Sequence, residues 1–305
     1  MTQHTEITCL HEQHSTDGSI KFLWQLADGK TVESIYFTFR EQYYTCISSQ
    51  VGCNVGCPFC ETGKQRVLRN LTAQELYAQV ALIDGCVRAA GGPAMLDHVA
   101  LAGMGEPLLN VAAVVAAATQ LRADGLTETV SLSTSGVVPR IYDLAQTTET
   151  SVNKLFLSLH ATTDKVRNHL VPLNKKYPLA SVLEAATHFF ARSGEKVTAT
   201  YLLFADLNDT QADLARLLRL LDPAIYIVQF SEWNQVADCA FQPSPRLEYF
   251  QDQLQQAGYE VFIQRSKGGD IDGGCGQLRS RTLPVIPAAA RPTAISTMRA
   301  RDEEH

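Results

Sequence analysis

Apolar positions along this chain recur in two alternating rhythms. The first rhythm has a period of two. It runs through KFLWQLADGKTVESIYFTF (21–39) and predicts a β-hairpin turning at Asp28-Gly29. Short apolar runs follow at YTCISS (44–49), DHVALAG (97–103), TVSLST (129–134), KLFLSLH (154–160), VTATYLLF (197–204), AIYIVQF (224–230) and YEVFIQ (259–264), and each reads as a strand. Between them lie stretches with helical spacing at 73–89, 111–121, 180–190, 210–221 and 245–257. Strands alternating with helices of this length predict right-handed βαβ units and a parallel sheet. About six such units curl into a full or partial barrel, here a partial (β/α)6-type barrel of the α/β class. Residues 1–40 form an N-terminal extension with the hairpin, 41–283 the barrel, and 284–305 a poorly ordered tail. In such a barrel functional side chains gather at the C-terminal ends of the strands.

Composition narrows the classes. With 45% of its 305 residues apolar and 19% charged, the chain can bury one large core or two modest ones. The start, MTQHTEITCLHEQ, lacks the basic segment and apolar core of a signal peptide, and no run approaches a bilayer span. Eight cysteines, five of them scattered singly, suit a reducing cytoplasm. A net charge of −6 does not announce a nucleic-acid binder. Basic residues are nonetheless clustered: Lys64, Arg66 and Arg69, then Lys175-Lys176, then Arg279, Arg281, Arg291, Arg299 and Arg301. These form either a local basic face on an acidic protein or ordinary solvated surface.

The most informative chemistry is Cys53-Asn-Val-Gly-Cys57-Pro-Phe-Cys60. Three thiolates on one short loop can hold three corners of a [4Fe-4S] cluster, leaving the fourth iron open to a chelating molecule and to one-electron chemistry. A zinc reading is weaker, because structural zinc takes four ligands from two paired clusters. A disulfide framework is weaker still. The strand ends carry a second set of candidates. Gly103-Met-Gly105-Glu106-Pro107 follows DHVALAG, Ser133-Thr-Ser135-Gly closes the next strand, Ser158-Leu159-His160 the one after, and Asn234 lies past AIYIVQF. Glycine lets backbone approach a ligand ammonium, and Ser and Asn suit ribose hydroxyls and a carboxylate. Singly, each reads equally as a turn glycine or a capping serine. Their shared position suits a zwitterionic nucleoside beside the cluster.

The cysteine triplet, with an aromatic before its third member, resembles the radical S-adenosylmethionine superfamily. The stretches TCISSQVGCNVGCPFCETGKQ (45–65), GMGEPLLN (103–110), LSTSGVVP (132–139), LSLHA (157–161), LVPLNKKY (170–177) and GDIDGGCGQLR (269–279) resemble its RlmN/Cfr branch of adenosine-methylating RNA enzymes, in the family's order. The resemblance implies a radical S-adenosylmethionine barrel and a methyltransferase acting on C2 or C8 of adenine in rRNA or tRNA. It also implies two S-adenosylmethionine molecules per turnover, one as methyl donor and one as radical source. An electron donor such as flavodoxin or ferredoxin, a monomeric state and a cytoplasmic location are expected with it.

The chemistry explains the two extra cysteines. An adenine carbon between ring nitrogens is electrophilic, and so is a methyl sulfonium, so direct polar transfer lacks a driving force. A thiolate accepts the methyl instead, needing only nucleophilic sulfur. A radical generated on that methyl adds to the ring, a base removes the ring proton, and a second thiol releases the product by forming a disulfide. The resemblance makes Cys275 the methylated sulfur, Cys46 the resolving thiol and Glu33 the proton acceptor. It carries cofactor contacts onto Gly105, Glu106, Ser133, Ser158, Leu159, His160 and Asn234, and cluster ligation onto Cys53, Cys57 and Cys60.

Plainer roles stand beside these. Cys46 reads equally as a buried strand cysteine, Glu33 as the polar face of a hairpin, and His160 as a packed strand-end histidine. Cys275, in Gly-Gly-Cys-Gly, is expected on a flexible, exposed loop. Cys9, Cys86 and Cys239 match nothing. FSEWNQ around Asn234 departs from the family's LIPWNP. The family's helical accessory domain before the hairpin has no counterpart in the roughly twenty residues here, which weakens the expectation of independent RNA grip. Two alternatives follow: the same chemistry on a non-RNA small molecule or peptide, and a non-catalytic iron–sulfur protein that forms no 5′-deoxyadenosine.

Overall fold

The computed structural model describes residues 7–92, 95–237 and 239–282, so the expected tail lies outside the described residues. Strands β1 (Thr8–His14), β2 (Ile20–Gln25), β3 (Thr31–Phe39) and β4 (Gln42–Ile47) come first, followed by the short pair β5 (Gln50–Val51) and β6 (Arg69–Asn70). The alternating part is α1 (Ala73–Ala89), β7 (His98–Leu101), α2 (Val111–Ala123), β8 (Thr129–Thr134), α3 (Val138–Leu144), β9 (Lys154–Ser158), α4 (Asp164–Leu170), α5 (Leu179–Ser193), β10 (Val197–Tyr201), α6 (Gln211–Leu220), β11 (Tyr226–Ser231), α7 (Leu247–Gln256) and β12 (Val261–Gln264). A last helix, α8 (Gln277–Thr282), ends the described chain.

Ten strands form one sheet in the order β1-β2-β3-β4-β7-β8-β9-β10-β11-β12. The first three pairings are antiparallel. Every later one, from β4–β7 to β11–β12, is parallel. This is the expected partial barrel with an antiparallel extension.

The first hairpin turns where expected. Gly29 takes φ +76 and the Leu26 and Lys30 backbones close the loop. The second, between β3 and β4, has no sequence signal, because Arg40 and Glu41 hold the two left-handed positions usually given to Asn and Gly. The Arg40 guanidinium lies 5.2 Å from the ring centroids of both Phe39 and Phe262, tying that turn to β12.

Several elements went unread, the two-residue strands β5 and β6 among them. Strand β1 is exposed along almost its whole length, so it shows no apolar alternation. Helices α3, α4 and α8 span only two turns or less, too short for a helical period to register. The longer α1 starts at a capping box, Thr72 accepting from the Glu75 amide while Glu75 accepts from Thr72.

Alternation decides what each strand face does. Val130, Leu132, Leu155, Leu157, Val197, Ala199, Val228 and Phe230 pack outward under the helices in the main core. Ser131, Ser133, Phe156, Thr198, Thr200, Gln229 and Ser231 point into the barrel. Closed eight-stranded barrels fill that space with large branched side chains. Here small and polar residues leave a cavity of about 790 Å³.

Candidate active site

The cysteine loop leaves β5 at Gly52, whose φ of +83 and position admit no side chain, since a Cβ there would lie 2.2 Å from the Arg66 carbonyl oxygen. The loop doubles back, with the Cys53 amide on Gln65, the Cys60 amide on Cys57 and the Gly63 amide on Cys60. The Phe59 ring packs edge-on to His160 at 5.0 Å and beside Phe204 at 5.9 Å, and the Trp233 indole donates to the Phe59 carbonyl at 2.8 Å. A small apolar cluster containing Cys53, Val55, Leu170, Val171 and Phe204 underlies Cys57 and Phe59.

Burial pushes all three thiols up. It takes Cys53 to about 12, and neighbouring thiols add to the shift at Cys57 and Cys53. Thiols that resist ionising alone are made thiolates by a metal, which supplies the missing positive charge. Among the described residues no three His, Cys, Asp or Glu side chains converge to hold one metal ion. Three thiols on one loop can each ligate a separate iron of a cluster, whereas a structural zinc takes four ligands.

The strand-end candidates surround this loop. At Gly103 a Cβ would meet the Ile47 carbonyl at 2.7 Å, and at Gly105 (φ +104) the Gln50 side chain at 2.6 Å. The Met104 carbonyl accepts the Ser49 and Gln50 amides, which fastens this strand end beneath the cysteine loop. Glu106 is buried and accepts from the Leu108 amide (3.2 Å), the Thr134 hydroxyl (2.7 Å) and the Ser135 amide (2.7 Å). Burial raises its proton affinity while these donors oppose the shift.

Ser133 and Asn234 line the cavity, and Asn234 accepts from the Ser266 hydroxyl. Ser158 shares the inward face of β9 with Lys154 and Phe156, and its carbonyl accepts from Arg167. Leu159 lies in the core, so only its backbone reaches the strand end, and its carbonyl is taken by Arg167. His160, at φ +54, accepts the Leu202 amide on Nδ1 at 3.1 Å. Burial, with Arg167 nearby, lowers its pKa to about 3, so it is neutral.

Glu33, Cys46 and Cys275 all open on the one cavity. Cys275 also borders a second, smaller pocket with Cys60 and Phe59, and its Sγ lies 3.2 Å from the Thr62 hydroxyl. The loop is neither exposed nor free, contrary to the sequence expectation. Cys275 is half-buried, and at Gly276 (φ +81) a Cβ would strike the Thr62 hydroxyl at 2.5 Å. Burial raises the Cys275 thiol, Cys60 adds to this, and Lys21 opposes it. Burial likewise takes Cys46 to about 11 against the pull of Lys21.

Lys21 escaped the sequence reading. Its Nζ lies 2.8 Å from Glu33 Oε2 and donates to the carbonyls of Gly273 and Gly274 at 3.3 and 3.1 Å. A signal existed: once the turn sets Leu23 opposite Glu33, position 21 becomes the diagonal neighbour of 33 on the same face. Arg167, fully buried and bonded to the Leu159, Ser158 and Ser135 carbonyls, was also missed. Cys9 and Cys86 are exposed and Cys239 half-buried, none of them on either pocket.

A parallel partial barrel with a three-thiol loop over its open mouth defines a radical S-adenosylmethionine enzyme, and residues 47–218 match the model of the Radical SAM superfamily. Enzymes of that superfamily use S-adenosylmethionine and a [4Fe-4S] cluster. The chain is 38% identical over 310 residues to the dual-specificity RNA methyltransferase RlmN of Anaeromyxobacter sp. (strain Fw109-5), covering 98% of this chain and 81% of that one. It is also 38% identical to the RlmN of Pseudomonas fluorescens (strain SBW25), covering 96% and 78%. A crystal structure of a radical SAM methyltransferase from Sphaerobacter thermophilus superposes with a TM-score of 0.84 at 36% identity, covering 90% of this chain and 81% of that one. The chain belongs to the RlmN family, and it is a radical S-adenosylmethionine-dependent methyltransferase. No helix among the described residues is long and apolar enough to cross a membrane.

Proposed function

We propose that this enzyme methylates a ring carbon of adenine, C2 or C8, in rRNA or tRNA, with Cys275 as the methyl carrier. The observation that carries the reading is the convergence of Cys275, Cys46 and Glu33 on one cavity wall, with Cys275 also facing the loop that bears Cys60. A cluster held by Cys53, Cys57 and Cys60 would supply the electron that cleaves S-adenosylmethionine and so the hydrogen-abstracting radical. Cys275 contributes the nucleophilic sulfur: its thiolate forms an S–CH3 bond as the sulfonium carbon–sulfur bond breaks, releasing a neutral thioether. Burial raises the proton affinity of this thiol, and the Lys21 ammonium opposes that rise and so favours the thiolate.

Glu33 has the capacity of a proton acceptor. Three donors occupy its two oxygens, leaving about one lone-pair direction of roughly four. Cys46 is the resolving thiol: its sulfur attacks Cys275 as the Cys275 S–CH2 bond to the base breaks, the departing carbon takes a proton to become the methyl group, and the external reductant returns the resulting disulfide to thiols. Gly105, Glu106, Ser133, Ser158, Leu159, His160 and Asn234 form the cofactor cradle, with Leu159 acting through its backbone.

Two S-adenosylmethionine molecules are used per turnover, with a flavodoxin or ferredoxin as reductant, by a monomer in the cytoplasm. In this organisation residues 1–40 bring Glu33 to a barrel formed by 41–283. The test is anaerobic incubation with methyl-labelled S-adenosylmethionine and total RNA from a deletion strain, followed by nucleoside mass spectrometry. Labelled methyladenosine is expected. Label held on Cys275 with none in RNA would favour a small-molecule or peptide substrate.

A further inference from the structure

We propose that Lys21 is a positioning residue for Cys275: its ammonium and the Glu33 carboxylate form a charged clamp that closes on peptide groups either side of the thiol. The inference rests on the methyl-carrier role of Cys275 proposed above. Each jaw meets groups of matching polarity. On the N-terminal side of Cys275 the ammonium holds the carbonyls of Gly273 (3.3 Å) and Gly274 (3.1 Å). On the C-terminal side the carboxylate accepts the amides of Gly276 (2.8 Å) and Arg279 (2.5 Å). The jaws are joined to each other at 2.8 Å, with side chains only 3% and 2% exposed.

A plain hairpin ion pair would look different. An ammonium has three donors, and all three of these are used: one on Glu33 and two on the loop. Two of the three bonds that Glu33 accepts come from Gly276 and from Arg279 in the first turn of α8. The pair therefore spends most of its hydrogen-bonding capacity on residues some 240 positions away in sequence. The glycines make this grip possible. A Cβ at 273 would lie 2.3 Å from the Lys267 carbonyl, and one at 274 would lie 2.6 Å from the Gln277 side chain. The clamp thus supplies the rigidity that a Gly-Gly-Cys-Gly segment lacks, and holds the sulfur against Thr62 and the cysteine loop.

The test uses anaerobic holoenzyme. In the wild type the amides of Gly276 and Arg279 exchange slowly with deuterium. In Lys21→Met they exchange about tenfold faster, because the Glu33 carboxylate loses the ammonium that pairs with it and holds it over these amides. Barrel-helix amides stay protected, which shows that the variant is folded. The same variant continues to form 5′-deoxyadenosine while methyl transfer falls, so the ratio of the two products rises. A K21E/E33K charge swap does not restore slow exchange at 276 and 279, because it sets a carboxylate against carbonyls and an ammonium against amides. Recovery of slow exchange by the swap would reduce the pair to a simple ion pair and overturn the proposal. Wild-type amides at 276 and 279 that exchange as fast as the exposed Asp28-Gly29 turn would overturn it without any variant. Exchange reads the clamp and nucleoside analysis reads the methyl carrier. Slow exchange without methyladenosine would fault the proposed function, and fast exchange with methyladenosine would fault the clamp alone.

Discussion

Replacing Glu33 by Gln keeps the shape of the side chain and removes one charge, so it isolates what that charge contributes to stability. Both members of the Lys21–Glu33 pair are almost wholly buried. Removing one partner of such a pair leaves the other uncompensated, at a cost of about 3–5 kcal/mol. That is a large part of the roughly 5–15 kcal/mol that holds a domain folded, and it corresponds to a fall in Tm of about 10 °C. Thermal melting followed by circular dichroism, with a urea midpoint as a second measure, reads it.

The pH dependence has a definite sign. In the wild type, burial lowers the Lys21 proton affinity, but Glu33, Cys275 and Cys46 together raise it above its ordinary value. The stability gained is therefore present below that ordinary value and lost as pH rises through the folded-state value. Without Glu33 the burial effect dominates, the lysine prefers its neutral form, and the deficit of the variant shrinks as pH rises above neutral. Lys21→Met added to Glu33→Gln removes the stranded charge, so the double variant is more stable than Glu33→Gln alone. Strictly additive losses, or a deficit unchanged between neutral and alkaline pH, would refute the reasoning.

Two further outcomes follow from the strand ends and the bore. Gly103→Ala places a methyl within 2.7–2.9 Å of the Ile47 and Ser48 backbone. It should cost about 1–3 kcal/mol and lower iron retention by the adjacent loop, measured by melting and iron analysis; unchanged values in both would show that this strand end can yield. His98, which bonds Ser131 at 2.7 Å, is held near 4 by burial, with Lys154 adding to the effect. A depressed histidine favours the fold above its ordinary value near 6.5 and withdraws that support as pH falls toward 4, about 3 kcal/mol across the window. His98→Phe should flatten the fall in urea midpoint between those values, and a parallel profile would count against the assignment.

The periodicity of the chain was enough to place β2, β3 and all five longer helices within a few residues, because their patterns extend over many positions. The cysteine loop was legible as a cluster-binding candidate from spacing alone, without any periodicity. β1, α3 and α4 escaped because they are short or polar, and they are held by neighbours rather than by their own pattern. The local setting of Cys275 misled for a related reason. Three glycines read as freedom, yet they are what lets the backbone press against Lys267, Gln277 and Thr62.

Chemical identity is written locally, so the sequence alone carried the thiols and the carboxylate and the family resemblance from which their roles are proposed. Only the tertiary structure decided that Lys21, Glu33, Cys46 and Cys275, drawn from three strands and a distant loop, share one wall. The physical reason is sheet geometry: a curled sheet, antiparallel over its first strands and parallel beyond, turns alternate residues of every strand inward, and it brings the first hairpin against a loop some 240 residues later.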